Sequence, residues 1–202
     1  MQLRFKTDLT GEQHVSQSAW EDATLPCCAL HPRGGCGFAR HGTYARVSPP
    51  GTRVARWYCP TGHRTFSLLP DCLAARLSGT LAEVEAVEAV PSLEKAADGL
   101  RPEIELPGAV CWTRRRVKPI RATLHRLKGM LPEPLAVLDA TLGAFRSALG
   151  EGPVLSRLRE IAAPCLHVLP PPLGFRPPPP RGGDPQSRFQ HEAGPDPPPA
   201  LA

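Results

Sequence analysis

Cys27-Cys28-Ala29-Leu30-His31-Pro32-Arg33-Gly34-Gly35-Cys36 and, farther along, Cys59-Pro60-Thr61-Gly62-His63 decide how this chain is read. Thiolate and imidazole are the donors of a tetrahedral structural zinc site, commonly supplied as two short-spaced pairs. Cys59 and His63 form the clear pair. The other is open: Cys36 partners Cys28 or Cys27, and His31 can replace either. The preferred set is Cys28, Cys36, Cys59 and His63, with Cys27 and His31 as alternates, around one structural Zn2+. Between the pairs, residues 43–47 and 52–58 have strand character, and Ser48-Pro49-Pro50-Gly51 is a turn signal, so a β-hairpin is expected. The segment is poor in large apolar residues and needs a staple of this kind to fold.

Charge is segregated around this segment. From Cys27 to Phe66 the chain carries Arg33, Arg40, Arg46, Arg53, Arg56 and Arg64 and no acid. Acids dominate residues 81–106. From Trp112 to Lys128 come Arg114, Arg115, Arg116, Lys118, Arg121, Arg126 and Lys128, again without an acid. Two acid-free basic runs are the footprint of a polyanion binder, because neutralising phosphates releases condensed counterions.

The helical part begins near Thr80. Thr80-Leu81-Ala82-Glu83 is a capping box, and Leu81, Val84 and Val87 form an apolar stripe. Pro91 ends that helix, Ser92 caps a second over 93–100, and residues 101–107 connect to a third starting near Gly108. There Val117, Ile120, Leu124, Leu127 and Leu131 share one face. Arg114, Lys118, Arg121, His125 and Lys128 share a neighbouring face about 100° away. Pro119 kinks this helix or splits it. Residues 134–163 read as an α-hairpin broken at Gly150-Glu151-Gly152-Pro153.

Composition limits the rest. With 202 residues, 26 Pro and only 5% aromatics, the chain has too little for one large core and must be partly extended. The organisation expected is a flexible arm (1–24), a zinc-ribbon-like module (25–70), helix-turn-helix-like helices (71–131), the α-hairpin (134–163) and a disordered Pro-rich tail (170–202). The fold class is α+β: a small ribbon hairpin, a short-helix bundle and the tail. No apolar run approaches the ~18 residues of a membrane span, and MQLRFKTDLTGEQ has no apolar signal core. Seven unevenly placed cysteines argue against a disulfide framework and for a reducing compartment. Cys72, Cys111 and Cys165 are expected to pack.

The stretches Cys36-Gly37-Phe38-Ala39-Arg40-His41-Gly42-Thr43-Tyr44, Arg56-Trp57-Tyr58-Cys59-Pro60 and Arg64-Thr65-Phe66-Ser67-Leu68-Leu69-Pro70 carry a resemblance. They look like the N-terminal zinc ribbon of bacterial insertion-sequence transposases and their small accessory proteins, where a helix-turn-helix follows. The likeness covers roughly residues 26–120. Here Gly62 stands where that family has the last knuckle cysteine, and the first knuckle carries an insert. The resemblance implies a zinc-stabilised protein that binds double-stranded DNA, cytoplasmic and nucleoid-associated when bound, with a transposition-related partner. Strand transfer is not expected, because the acids after residue 131 do not form the carboxylate set of a two-metal nuclease.

On this reading Arg114, Arg115, Arg116, Lys118 and Arg121 lie along the groove and phosphates, and Arg40, Arg46, Arg53, Arg56 and Arg64 add backbone contacts from the ribbon. The alternative is a protein-interaction scaffold, with the α-hairpin as a homodimer face and the Pro-rich tail as a docking segment. Enzymatic function is not expected: neither a G-x-S-x-G nor a phosphate-cradling GxxxxGK[ST] is present.

Overall fold

A computed structural model describes residues 1–89 and 106–175. It is an α+β fold built on a four-stranded sheet. The strands are β1 (Gln2–Phe5), β2 (Ala39–Ala45), β3 (Arg53–Cys59) and β4 (Arg64–Pro70), in the order β1-β4-β3-β2. The expected hairpin is β2–β3, antiparallel, with Tyr44 opposite Val54 and Ala39 opposite Tyr58. Its turn is closed where Arg46 donates from its amide to Thr52 O at 2.9 Å. β4 extends the sheet antiparallel to β3, with Arg56 opposite Ser67.

Residues 1–24 are folded, not the expected flexible arm. β1 runs parallel to β4, with Gln2 opposite Ser67. A short helix α1 (Gly11–Ser16) follows, closed by a Thr10/Gln13 capping box. A four-residue strand carries no periodicity of its own, and its order comes from pairing with residues more than sixty positions away.

Side chains alternate across the sheet, so its two faces feed two cores. One face places Ala55, Trp57, Cys59, Phe66 and Leu68 against Trp20, Ala23, Cys28 and Cys36. The other places Val54 and Leu69 against the helices. These are α2 (Leu81–Ala89), α3 (Leu106–Lys128), α4 (Leu142–Leu149) and α5 (Val154–Ile161), with 3-10 turns at Leu135–Val137 and Ala163–Cys165. The Thr80 capping box is formed: the Glu83 amide donates to Thr80 Oγ1 at 3.0 Å, and the Thr80 amide donates to Glu83 Oε2 at 2.8 Å. Leu81, Val84 and Val87 are buried as their spacing predicts.

α3 continues through Pro119 as one helix instead of splitting. The predicted stripe of Val117, Ile120, Leu124, Leu127 and Leu131 is buried. That contact area fixes the helix despite the backbone hydrogen bond Pro119 cannot make. The expected helix at 93–100 lies outside the described residues. The α-hairpin breaks where predicted, but its apolar stripe is used within the chain. Leu142, Phe145, Leu155 and Leu158 are all buried in the helical core, whereas Ile161 is exposed.

Residues 170–175, read as the start of the tail, also belong to that core. Leu173 and Phe175 are buried, the Phe175 amide donates to Leu166 O at 2.7 Å, and the Ala75 amide donates to Pro172 O at 2.8 Å. The rest of the expected tail, 176–202, lies outside the described residues. Cys72 and Cys165 pack against the helical core as expected, whereas Cys111 is exposed.

Candidate metal centre

Cys59 ends β3 and enters a tight turn in which the His63 amide donates to Pro60 O at 3.2 Å. The loop from Ala23 to Phe38 crosses beneath the same sheet face. There the His31 amide donates to Cys28 O at 3.1 Å, folding Cys28-Ala29-Leu30-His31 into a turn. Cys36 is brought alongside, and its carbonyl accepts from Thr61 Oγ1 at 3.3 Å. The sheet thus supplies one donor rigidly, and two loop turns supply the other three.

Cys28, His31, Cys36 and Cys59 place their ligand atoms within 4.8 Å of one another. His31 Nδ1 lies 3.6 Å from Cys28 Sγ and 3.4 Å from Cys59 Sγ. In a tetrahedron with Zn–S near 2.3 Å and Zn–N near 2.0–2.1 Å, nitrogen and sulfur ligands stand about 3.5 Å apart. The four residues could therefore hold a metal ion. All three thiols are buried, so proton and metal compete for them away from bulk water.

The thiols are not equivalent. Burial pushes Cys28 up, but hydrogen bonds from the His31 ring, the Leu30 and His31 amides and Cys59 overcome it and bring Cys28 down to about 6. Cys36 is raised, first by burial and then, against a lowering bond from the Phe38 amide, by the neighbouring Cys59 and Cys28. Cys28 is thus better prepared than Cys36 to ligate as thiolate at neutral pH.

The donor set corrects the preferred sequence assignment at one position. His31, held as an alternate, faces the three cysteines. His63 falls outside the group, and its Nδ1 is 3.3 Å from Tyr58 Oη. The backbone explains the exchange. His63 has a φ of 45°, and its ring is carried to the far side of the sheet beside Tyr58. A Cβ on Gly62 would come within 2.7 Å of Leu30 Cδ1, 3.4 Å of Cys59 Sγ and 3.6 Å of His31 Cε1. The Leu30 side chain, with Cys59 and His31 behind it, therefore fills the space that a longer residue at 62 would enter. Cys27, the other alternate, is exposed and outside the group. The signal was present in the sequence: Cys28 and His31 have the two-residue gap of a knuckle, whereas Cys59 and His63 have three residues between them.

One prediction separates the two histidines. His31→Ala should lose bound metal, while His63→Ala should keep about one ion per chain by elemental analysis after gel filtration. Retention by the first and loss by the second would reverse the assignment.

The basic residues divide. Arg40 is tied to Trp20 O and Glu21 O, both at 2.7 Å, with its guanidinium 5.5 Å from the Trp57 ring. Arg46 donates to Ala74 O and Leu77 O. Arg116 is buried and donates to Ser78 Oγ at 2.8 Å. These three expected nucleic-acid contacts are instead engaged in packing. Each side chain is long enough to reach backbone carbonyls that the fold leaves unpaired, a use that charge patterning does not distinguish from phosphate binding. Arg53 and Arg64 are exposed, and Arg56 is half-buried. Along α3, Arg114, Arg115, Lys118, Arg121, His125 and Arg126 are exposed. Two acids of α2 are occupied elsewhere: Glu83 caps Thr80, and Glu85 pairs with Arg146 at 2.6 Å.

Among the described residues no helix is long and apolar enough to cross a membrane. Comparison of the chain with protein-family models, with curated proteins and with solved structures yields no match.

Proposed function

We propose that this is a zinc-stabilised protein that binds double-stranded DNA, related to the transposase ribbons it resembles and without a nuclease of its own. The supporting observation is α3. One side is buried as a continuous stripe, and the adjoining side presents Arg114, Lys118, Arg121 and His125 over ~16 Å of helix. Arg115 and Arg126 widen that strip, and no carboxylate lies between residues 106 and 128. Such a surface meets successive phosphates without desolvating an acid.

The metal's part is structural. Three thiolates and one imidazole fill a tetrahedron, leaving none of the open positions a catalytic zinc keeps. The His31 and Cys28 turn would hold the loop under the sheet, and Cys59 would anchor it to β3.

Titration of a duplex of about 20–30 base pairs against the zinc-loaded chain at several salt concentrations tests the reading. Affinity should fall steeply with salt. Arg114→Ala, Arg115→Ala and Lys118→Ala together should flatten the log–log slope by roughly three. Absence of duplex binding at ~50 mM salt, or an unchanged slope in the triple variant, would overturn it.

A further inference from the structure

The second face of the sheet is only half covered. Val54 and Leu69 are buried under the helices, but the register carries Arg56, Tyr58, Thr65, Ser67 and Gln2 onto the same face beyond them, none of them buried. Tyr44 joins them from β2, with the Arg56 guanidinium 5.8 Å from its ring centre. Tyr58 is half-exposed, with the His41 ring 5.6 Å away and His63 Nδ1 at 3.3 Å from its hydroxyl. Two phenol rings, a guanidinium and two imidazoles therefore share one open patch.

The patch has a sign. None of the four strands contains Asp or Glu. The nearby acids are turned away: Asp71 is held by Arg4 at the helical end, and Glu21 adjoins Arg40, whose guanidinium packs over Trp57 on the opposite face. Arg64, opposite Cys59, belongs to the other face. Arg76 is exposed, and its guanidinium donates to Phe175 O at 3.4 Å. The Met1 amino group donates to Thr65 O at 2.7 Å, beside Tyr58, and burial first, then Arg76, Arg64 and Arg56, lower its pKa.

Flat rings beside unneutralised guanidinium groups on an open sheet suit unpaired bases, which stack on aromatic and guanidinium planes while their phosphates meet the cations. A duplex hides its base faces and gains nothing from Tyr58. We propose that this open face of the sheet binds single-stranded nucleic acid, with Tyr58 and Arg56 receiving bases and Arg76 receiving phosphate. The site is separate from α3 and stands or falls apart from the duplex reading.

Anisotropy titrations of the zinc-loaded full chain with labelled oligo-dT, oligo-U and a duplex, each ~20 nucleotides long and at ~50 mM salt, test it. The chain should bind oligo-dT, oligo-U or both, and the two arms tell DNA from RNA. Tyr58→Leu should weaken that binding about ten-fold and leave duplex affinity unchanged. Tyr58→Phe, which keeps the ring and loses the His63 contact, should bind like the wild type. Arg76→Ala, on an exposed side chain, should flatten the single-strand salt slope by about 0.7. Failure of the wild type to bind either oligomer, or wild-type behaviour of both Tyr58→Leu and Arg76→Ala, would overturn the proposal. Duplex binding lost only in the α3 variant would leave the duplex reading intact in either case.

Discussion

Cys59→Ser should release the metal and open the core on that side of the sheet, while most of the helical signal survives. The expectation follows from how little else holds that core. It consists of nine buried residues, three of which are the cysteines of the donor set. Structural zinc in small modules contributes on the order of 10 kcal/mol of apparent folding free energy at neutral pH, comparable to the ~5–15 kcal/mol stability of a whole domain. With one ligand gone, the loop from Ala23 to Phe38 loses its tether to β3, and two buried thiols and the half-buried His31 ring lose their common partner. Trp20 and Trp57, both buried in this cluster, should become exposed. Their emission should shift to the red, and bound metal should fall from about one ion to near zero per chain. The larger core on the helical side contains none of the four donors, so far-UV ellipticity at the helical minimum should drop only slightly. Unchanged metal content and unchanged tryptophan emission would contradict the staple. A chelator added to the wild type should reproduce the variant, because both remove the same constraint.

What could be read from the sequence was whatever is encoded locally. The hairpin announced itself through alternation around Ser48-Pro49-Pro50-Gly51, the α2 start through Thr80 and Glu83, and the buried and basic faces of α3 through 3-4 spacing. The three buried thiols of the metal cluster were legible as well, since so many cysteines in a segment with few large apolar residues have little else to do. His31 was harder. Its place depends on which way the Cys59–His63 turn points its last side chain, and that is set by a positive φ at His63. The folded state of residues 1–24 and 170–175 was hidden for a related reason. Gln2–Phe5 is ordered by pairing with β4, and Pro170–Phe175 by groups contributed by the loop after β4, by α3 and by α5. Prolines favour extended backbone without saying whether it is solvated or packed. The three inward arginines show the same limit: Arg40, Arg46 and Arg116 carry the charge of contact residues and the bonds of structural ones.

Arg159 is the extreme case, and its replacement is expected to be the most destabilising single change on the helical side. Its side chain is fully buried. Nε donates to Leu173 O at 3.2 Å. Nη1 donates to Asp71 O at 3.0 Å and Leu73 O at 2.8 Å, with Pro70 O at 3.5 Å, and Nη2 donates to Pro172 O at 2.7 Å. One guanidinium therefore joins the end of β4 and the turn after it to the segment that closes the fold. Burial pushes its pKa down to about 10, partly opposed by the nearby Asp71 carboxylate, so it keeps its proton at neutral pH. Desolvating that charge is costly, and the carbonyls around it offset the cost only while all of them are in place. Arg159→Met retains much of the volume but leaves those carbonyls without a donor in a dry core. The loss should be about 3–5 kcal/mol. For a chain of this size that corresponds to a fall in melting temperature of roughly 10 °C. Arg159→Lys keeps the charge but cannot reach both sides of the fork, and it should lie between the two. Because the bonds to Pro172 and Leu173 are among those lost, proteases should also cut near residues 166–175 sooner in the variants than in the wild type. An Arg159→Met chain that melts within a degree or two of the wild type would mean that water replaces the guanidinium at these carbonyls, and the segment after Leu166 would then owe its position to Leu169, Leu173 and Phe175 alone.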